Sequence, residues 1–400
     1  MRPIGLTRSV EATLAVSIIR VPLGILISSD GPYSVVSRSM LCGALLAIDE
    51  VNFAAGDVRF EPTIGNPGGE LSRYAALTTD MLAAGIQHVV GCYTSSSRKE
   101  IIPLFEKADT LLWYPSHYEG FETSANVIYT GAVANQHLLP LVDYSLTHLG
   151  PRAFGVGSNY IWAWENNRIL REAIGPRGGT LLAERYFPVG CTDFGQVIEA
   201  ILVARPSFVF NTLIGVSSYQ FLRDLRAACV ARGIDQPNDI PVVSCTLSEP
   251  ELEAIGAEAI DGHITSSVYF STLPTEANRR FVAAYADRFP DGPAVSADAE
   301  ATYIAVRLLA LALADAGATD AASIKRVIGR QSIAAPQGDV SIDADTMHPC
   351  LTPRIARSNA KGRFDILREA SAPVRADPYL IRSSSRYGAV SVRPVLRVAS

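Results

Sequence analysis

Short apolar runs alternate with longer amphipathic segments along most of the chain. The apolar runs have the length of strands, and amphipathic helices such as Ser39 to Ala54 and Ser72 to Ala84 are predicted between nearly all of them. The predicted strands are Val21 to Ser28, Gln87 to Cys92, Thr110 to Tyr114, Asn126 to Thr130, Ala153 to Gly157, Thr180 to Phe187, Ser207 to Thr212, Pro241 to Thr246 and Gly262 to Phe270. This alternation predicts an α/β fold with parallel sheets that carry helices on both faces.

The strands fall into two runs, which predicts two doubly wound lobes. His88 to Val90 and Phe208 to Phe210 are apolar without alternation, as expected of strands covered on both faces. The chain beyond Val243 is too long for a tail, so it must pack back on both lobes and cross between them as a multi-strand hinge. We predict a first lobe from 20–131 plus 267–341, a second from 132–266 plus 342–381, and terminal extensions at 1–19 and 382–400. Ligands of such sheets bind beyond the carboxyl ends of the strands.

Composition and charge narrow the class of protein. Of the 400 residues, 48% are hydrophobic and 19% charged, which excludes intrinsic disorder. The 35 Lys and Arg against 40 Asp and Glu give a net charge of -5, which disfavours direct binding to nucleic acid. A mean hydropathy of +0.17 raises the question of a membrane span. The longest apolar run near the start, Ala12 to Ser28, is broken by Arg20 and Pro22, so we expect no membrane span.

The terminal segments and the cysteines bear on localisation. Glu11 interrupts the apolar stretch that a secretory signal needs, so we expect a cytoplasmic protein, with export as the open alternative. The stretch after Pro378 is expected to be a weakly structured terminus. The cysteines form no Cys-x-x-Cys pair, which favours reduced thiols and offers no zinc site. They are Cys42, Cys92, Cys191, Cys229, Cys245 and Cys350.

Three loops that follow predicted strands carry side chains suited to binding a ligand. Tyr93 to Glu100 places three serines before a helix, where free backbone N–H groups can hold a carboxylate, a phosphate or an amide oxygen, or where the serines merely cap the helix. Trp113 to Phe121 combines aromatic rings with His117 and Glu119, which indicates a binding loop or an aromatic structural connection. Gly157 to Trp164 adds three aromatic residues that could face the other two loops across a cleft.

Sequence signatures of enzymes are mostly absent. The chain has no Gly-x-Ser-x-Gly elbow, no Walker loop and no His-Glu-x-x-His, and Gly155 to Tyr160 lacks the third glycine of a dinucleotide fingerprint. A nucleophile at Cys92 or Ser95 with His117 or Glu119 as base is an open alternative, because such partners meet only in space. We expect a protein that is not an enzyme, with no cofactor and no metal.

The loops resemble those of the type I periplasmic-binding-protein fold. They are most similar to the amide-sensor proteins that negatively regulate aliphatic amidase operons, with urea and short-chain-amide ABC transporter receptors as near relatives. The similarity runs in order from about Pro22 to Ile381. It rests on Gly91 to Ser95, Arg98-Lys99, Tyr114-Pro115, Tyr118 to Glu122, Gly157 to Ile161, Asn211 to Gly215, Thr246 to Glu249, Tyr269 to Ser271, Ala335 to Gly338 and Asp377 to Tyr379.

This resemblance implies a set of ligand-binding residues. They are Tyr93, Ser95, Tyr114, Ser116, His117, Tyr160, Trp162, Thr212, Gly215 and Thr246. Tyr93 and Ser95 would hold a small amide from the first lobe, and Tyr160 and Trp162 would close on it from the second. Two positions depart from the pattern, because Trp162 stands where amide sensors typically have tyrosine and Ser116-His117 stands where Thr-Pro or Val-Gln is expected. These departures leave the identity of the ligand open.

The leading hypothesis is a cytoplasmic amide sensor that closes on a small neutral amide. The resemblance suggests that its partner is an RNA-binding antiterminator. The alternative is the substrate-binding component of an ABC importer for urea, short-chain amides or branched-chain amino acids, and an amide hydrolase comes third. An amino acid would need an acidic partner for its ammonium group, for which Glu119 and Glu249 are the candidates in these loops. A homo-oligomer is compatible with either binding role.

Overall fold

The computed structural model describes residues 18–383, which form two α/β lobes. The predicted weak terminus after Pro378 and the expected absence of a signal peptide fall largely on residues 384–400 and 1–17, which lie outside the described residues. The strands are β1 (Ile19–Leu26), β2 (Val58–Gly65), β3 (His88–Gly91), β4 (Leu111–Tyr114), β5 (Val127–Tyr129), β6 (Arg152–Ser158), β7 (Thr180–Phe187), β8 (Phe208–Thr212), β9 (Val242–Ser244), β10 (Ile264–Ser267), β11 (Ser332–Ala335), β12 (Gly338–Asp343), β13 (His348–Cys350), β14 (Arg354–Ser358) and β15 (Phe364–Glu369).

Helices connect most of these strands. They are α1 (Ser34–Phe53), α2 (Leu71–Ala83), α3 (Ser95–Ala108), α4 (Leu138–His148), α5 (Ile161–Ile174), α6 (Gly195–Ala204), α7 (Val216–Val230), α8 (Gln236–Asp239), α9 (Glu249–Ile255), α10 (Glu276–Arg288), α11 (Ala297–Ala316) and α12 (Ala321–Ile328). Between residues 18 and 383, no single helix is long and apolar enough to cross a bilayer; α11 and α12 meet that test only as a pair, across a bend of 101°.

The strands form two large sheets and one small one, which confirms the α/β prediction. The first sheet is parallel, in the order β2-β1-β3-β4-β5. The second has the order β15-β14-β10-β9-β8-β6-β7 and is parallel except at β14 and β15, which pair antiparallel. Strands β11, β12 and β13 form an antiparallel sheet of their own. The antiparallel strands β14 and β15 therefore make the sheet of the second lobe mixed, whereas the sequence predicts parallel sheets.

Each lobe is built from separate stretches of chain. One apolar cluster joins Leu23 of β1 with Ile304 of α11 and Ile324 of α12, so the late helices complete the first lobe. Strands β14 and β15 extend the second sheet, so the chain returns to the second lobe after those helices. This order of packing brings the loops at the carboxyl ends of both sheets to one cleft. The residue boundaries of the lobes given above stay a prediction.

Candidate functional site

The two lobes contact each other across the cleft. A Cβ atom built on Gly215, at the start of α7, would lie 2.1 Å from the carbonyl oxygen of Pro32 in the first lobe. The Arg168 guanidinium of α5 lies 4.6 Å from the ring centroid of Phe121, again between lobes. Val35 of α1 packs against the apolar cluster of the second lobe. These contacts describe a closed arrangement in which little room separates the two sets of loops.

The serine run predicted to open a helix does so at α3. Thr94 is the N-cap, and its Oγ1 accepts a hydrogen bond from the N–H of Ser97 at 3.2 Å. Ser95 is the first helical residue, where backbone N–H groups lack partners within the helix. Its hydroxyl donates to Oε2 of Glu119 at 2.5 Å, and both residues are almost fully buried, at 2% and 1% exposure. The helix terminus thus presents backbone donors beside an oriented serine.

A buried ion cluster supports this helix terminus from behind. The Arg98 guanidinium donates to Glu119 at 3.3 Å and to Glu122 at 2.7 Å, and the Lys99 ammonium reaches Glu122 at 2.7 Å. Burial alone would raise the pKa of Glu122, but Arg98 and Lys99 hold that pKa below its ordinary value. Two cations thus face two carboxylates, and Arg98 is occupied by the cluster rather than by the cleft.

Aromatic rings from both lobes meet in the cleft. Tyr33 and Tyr93 of the first lobe have ring centroids 5.4 Å apart, and His117 lies 6.5 Å from Tyr93. From the second lobe, Trp162 lies 5.9 Å from His117 in an edge contact and 6.2 Å from Tyr160. Burial raises the pKa of Tyr160, and the charge of Glu119 raises that pKa further. The rings form an apolar wall edged by hydroxyl and N–H groups.

The three tryptophans differ in how their indole N–H groups are satisfied. The indole Nε1 of Trp113 lies 3.5 Å from Nδ1 of His88, and that of Trp164 donates to Asn159 at 3.2 Å. The Nε1 of Trp162 is buried and has no hydrogen-bond partner among the described residues. A buried donor without a partner is costly, so this N–H is suited to an acceptor atom on a ligand.

An acidic group that sequence analysis missed lies on the first-lobe side of the cleft. Oδ1 of Asp298, in the first turn of α11, accepts a hydrogen bond from Ser116 at 2.8 Å and lies 3.4 Å from Nδ1 of His117. Burial raises the pKa of Tyr93 well above its ordinary value, and the neighbouring Asp298 and Glu251 raise it further. Asp298 and Glu251 lie 205 and 158 residues after Tyr93 in the sequence, so spacing alone could not associate them with it.

In the sequence, these acidic residues follow a serine that can cap a helix, which is the pattern of a helix N-terminus. Ser296 caps α11 two residues before Asp298, and Ser248 caps α9 with Glu251 in a capping box. Such acids ordinarily stabilise the first turn of a helix, so the pattern alone predicts capping rather than ligand binding. Tyr33 lies in the loop after the first strand, at the edge of the sheet where ligands bind, and that position is the signal that could have identified it.

The other residues implied by the resemblance lie at different depths. The hydroxyl of Tyr114 is fully buried behind the cleft and donates to the carbonyl of Tyr93 at 2.8 Å. The hydroxyl of Thr212 lies inside the second lobe, 3.3 Å from the carbonyl of Val156 and 3.2 Å from Oδ1 of Asn167. Tyr114 and Thr212 therefore support the site from within the two lobes rather than presenting their hydroxyls to the cleft.

A small cavity adjoins the cleft near the segments that connect the two lobes. It contains about 270 Å³ of empty space, its mouth included, and is lined by His117, Thr246, Glu249 and Asp298 among others. Thr246 lies 3.0 Å from the hydroxyl of Ser244, so its side chain is partly satisfied within its own loop. Burial raises the pKa of Glu249 to about 7, and its Oε2 has no hydrogen-bond partner among the described residues.

The described residues contain no cluster of His, Cys, Asp or Glu that could hold a metal ion. All six cysteines are free thiols. Burial raises the pKa of Cys92 to about 12, which does not suit a nucleophile at neutral pH. Ser95 donates to Glu119 rather than to an imidazole, and no histidine among residues 18–383 hydrogen-bonds to its hydroxyl. The geometry of the described site therefore favours binding over nucleophilic chemistry.

Known proteins resemble this chain in sequence and in fold. A family model described as a periplasmic binding protein domain matches residues 20–385. A solute-binding protein of an ABC transporter from Rhodopseudomonas palustris, in complex with 4-hydroxybenzoate, superposes with a TM-score of 0.80 at 17% identity, over 91% of this chain and 100% of that chain. The branched-chain amino acid transporter substrate-binding protein from Streptococcus pneumoniae, in complex with isoleucine, has a TM-score of 0.76 at 20% identity, over 88% and 99% of the two chains.

One relative carries the name of an enzyme. A protein named limonene hydroxylase, from Geobacillus stearothermophilus, is 26% identical over 126 residues, which is 32% of this chain. The chain spans 23% of the length of that relative. The match is therefore partial, whereas the binding-protein family model covers nearly the whole of the described chain.

Proposed function

The chain belongs to the periplasmic binding protein domain family, and on that basis we propose that it is the solute-binding component of an importer that closes its lobes on a small neutral amide-like solute. The similar solved structures described above are named as transporter binding proteins, which favours the importer over the cytoplasmic sensor. The observation that carries the proposal is the closed cleft in which Trp162 of the second lobe lies against His117 of the first and Gly215 against Pro32.

The charges around the cleft support a neutral ligand. The two solved structures hold a benzoate and an amino acid, both of which carry a carboxylate. Here the described cationic groups nearest the α3 terminus, Arg98 and Lys99, are paired with glutamates, and the acids Asp298 and Glu251 lie near Tyr93. A carboxylate would enter an acidic cleft without a free countercharge, which costs free energy. Acetamide, propionamide, butyramide and urea carry no such charge.

A titration panel tests the ligand class. Calorimetry with acetamide, propionamide, butyramide, urea, leucine and benzoate should show binding of at least one neutral amide or urea, with a change in tryptophan fluorescence. Binding of leucine or benzoate alone would contradict the proposal. Release of ammonia from a bound amide would instead support the third hypothesis, an amide hydrolase.

Closure of the lobes can be tested separately at a glycine. In Gly215→Ala the new Cβ would meet the Pro32 carbonyl at 2.1 Å, and the φ of +56° strains any other residue as well. A closed form that cannot assemble binds ligand more weakly, because a ligand acts through its differential affinity for the two forms. The matched control is Gly233→Ala, which has a similar φ of +66° but open space around the new Cβ. We expect at least a tenfold loss of affinity in the first variant only.

The amide sensor is the second candidate, supported by the motifs from Gly91 to Ser95 and from Tyr114 to Glu122. A sensor would act in the cytoplasm by holding or releasing an antiterminator as its lobes close. Deletion of the gene would then alter amidase expression and leave amide uptake unchanged. For the importer component, the same deletion should abolish uptake of a labelled amide, and the protein should be recovered outside the cytoplasm.

A further inference from the structure

The hydrogen bond between Ser95 and Glu119 fixes the direction in which the serine hydroxyl points. A carboxylate can only accept hydrogen bonds, so at 2.5 Å the proton of the Ser95 hydroxyl lies towards Oε2 of Glu119. The Arg98 guanidinium, 3.4 Å away, donates towards the same serine oxygen. A serine hydroxyl has one donor and two acceptor positions. The donor and one acceptor position are thereby used, and one acceptor position is left.

From this geometry we infer that Glu119 determines ligand specificity by making Ser95 an acceptor, so that the site selects uncharged ligands that carry N–H groups and rejects carboxylates. The inference rests on the proposed function, because it assumes that the α3 terminus binds the ligand. Glu119 acts through Ser95 and is a positioning residue. A primary amide or urea presents N–H to Ser95, whereas a carboxylate would bring its own lone pairs against those of the serine.

The net charge of the cluster does not explain this selectivity by itself. Arg98 and Lys99 balance Glu119 and Glu122, and Lys99 lies within 4.0 Å of Glu119 as well as 2.7 Å from Glu122. A cluster of two cations and two anions has little net attraction or repulsion for a ligand anion. The direction of a single hydroxyl proton, in contrast, changes which ligand atom can be satisfied.

The second lobe supplies the complementary group. The buried Nε1–H of Trp162 has no partner among the described residues, and the Trp162 ring stacks 6.2 Å from that of Tyr160 and lies 5.9 Å from that of His117 in the first lobe. A carbonyl oxygen would satisfy this donor while an N–H of the same ligand satisfies Ser95. The two lobes therefore offer one donor and one acceptor, which is the pattern of a primary amide.

Two isosteric variants separate hydrogen-bond direction from charge. In Glu119→Gln, the side-chain oxygen can still accept from Arg98 while the new amide donates to Ser95, which frees the serine proton for the ligand. Glu122→Gln is the matched control, because it removes the same charge from the same cluster without touching Ser95. The measurement is the ratio of dissociation constants for butyrate and butyramide in each protein. We expect this ratio to fall at least tenfold in Glu119→Gln and to stay within twofold of wild type in Glu122→Gln.

The outcomes distinguish this inference from the proposed function. An equal fall of the ratio in both variants would show that charge sets the preference, and an unchanged ratio in Glu119→Gln would show that the direction of the hydroxyl does not matter; either result overturns the inference alone. Failure of the wild-type protein to bind any amide or urea overturns the proposed function and the inference with it. If Glu119→Gln does not fold, Ser95→Ala replaces it, because loss of the facing lone pair should also lower the ratio.

Discussion

Two sets of carboxyl groups in the interior of this protein differ in the charge of the side chains that hydrogen-bond to them. In the ion cluster behind the α3 terminus, Glu119 and Glu122 face the guanidinium of Arg98. On α11, Glu300 accepts hydrogen bonds from the backbone N–H and the side-chain amide of Gln337, at 3.1 and 2.8 Å, and the charge of Arg354 opposes only part of the rise in its pKa that burial causes. Glu119 and Glu300 are about equally buried, at 1% and 0% exposure, so burial itself does not separate the two groups.

The difference appears in the pKa values. Although burial opposes it, the pKa of Glu122 is lowered because Arg98 and Lys99 favour its charged form. Burial raises the pKa of Glu300 to about 8 and that of Glu251 to about 7, because amide, hydroxyl and backbone donors compensate the loss of water only in part. The comparison teaches that the half-buried Glu122 has a lowered pKa because Arg98 and Lys99 face it, whereas Glu251 and Glu300, whose hydrogen bonds come from neutral donors, have raised pKa values.

The largest expected effect follows from removing the cation. Arg98→Met leaves Glu119 and Glu122 buried without the guanidinium, and removal of one partner from a buried ion pair costs about 3–5 kcal/mol. Urea unfolding at pH 7 should show a loss of this size. The control is Arg279→Met, which breaks the exposed pair with Glu276 and should cost no more than about 1 kcal/mol. A loss in Arg98→Met as small as in the control would mean that the cluster does not depend on its cation.

Much of the fold could be predicted from the sequence because parallel strands covered by helices are continuous apolar runs. His88 to Val90 illustrates this, since β3 is buried at every position. Strand β2 could not be predicted in the same way, because Glu61 to Ile64 are exposed at the edge of the first sheet and form no apolar run. The antiparallel strands β14 and β15 come from a late segment, and β14 pairs with β10 across a long stretch of sequence, which local patterns do not show.

Residues of the candidate site could be predicted from the sequence only where several binding side chains lie close together in one segment. Ser95 and Trp162 lie in the first turns of α3 and α5, within stretches of several polar or aromatic residues that follow a strand. Asp298 reaches the cleft on a late helix that completes the first lobe, so only the three-dimensional topology places it beside His117. The direction of the Ser95 hydroxyl could not be predicted either, because nothing in the sequence of the serine run shows that its proton points to Glu119.

A smaller effect is expected from pH, with opposite signs in the two groups. The folded-state pKa of Glu300 is raised from 4.5 to about 8, so the folded protein binds more protons than the unfolded chain between these values. Its contribution to stability is therefore present below pH 4.5 and lost as the pH rises through about 8. Glu300→Gln should remove this dependence and gain about 2–4 kcal/mol at pH 9 relative to pH 5, measured by urea unfolding.

The pH dependence of stability that Glu122 contributes should have the opposite sign to that of Glu300, and Glu122→Gln tests this. Because the folded-state pKa of Glu122 is lowered, its contribution is present above pH 4.5 and lost as the pH falls through the folded value. The variant should therefore lose stability at pH 7 and approach wild type under acid conditions. Parallel pH profiles for Glu300→Gln and Glu122→Gln would contradict the distinction between the two groups.

The smallest effect concerns the ligand rather than the fold. Ser95→Ala removes one hydrogen bond to the ligand and leaves Glu119 paired with Arg98, so we expect affinity for the best-binding amide to fall by about 1 kcal/mol, within a range of about 0.5–3 kcal/mol. Calorimetry measures the loss. Ser96→Ala is the control, since it changes the same residue type in the same helical turn and Ser96, unlike Ser95 and Ser97, is not among the buried residues of α3. Equal affinities in the two variants would place the ligand away from the α3 terminus and confine the ion cluster to a structural role.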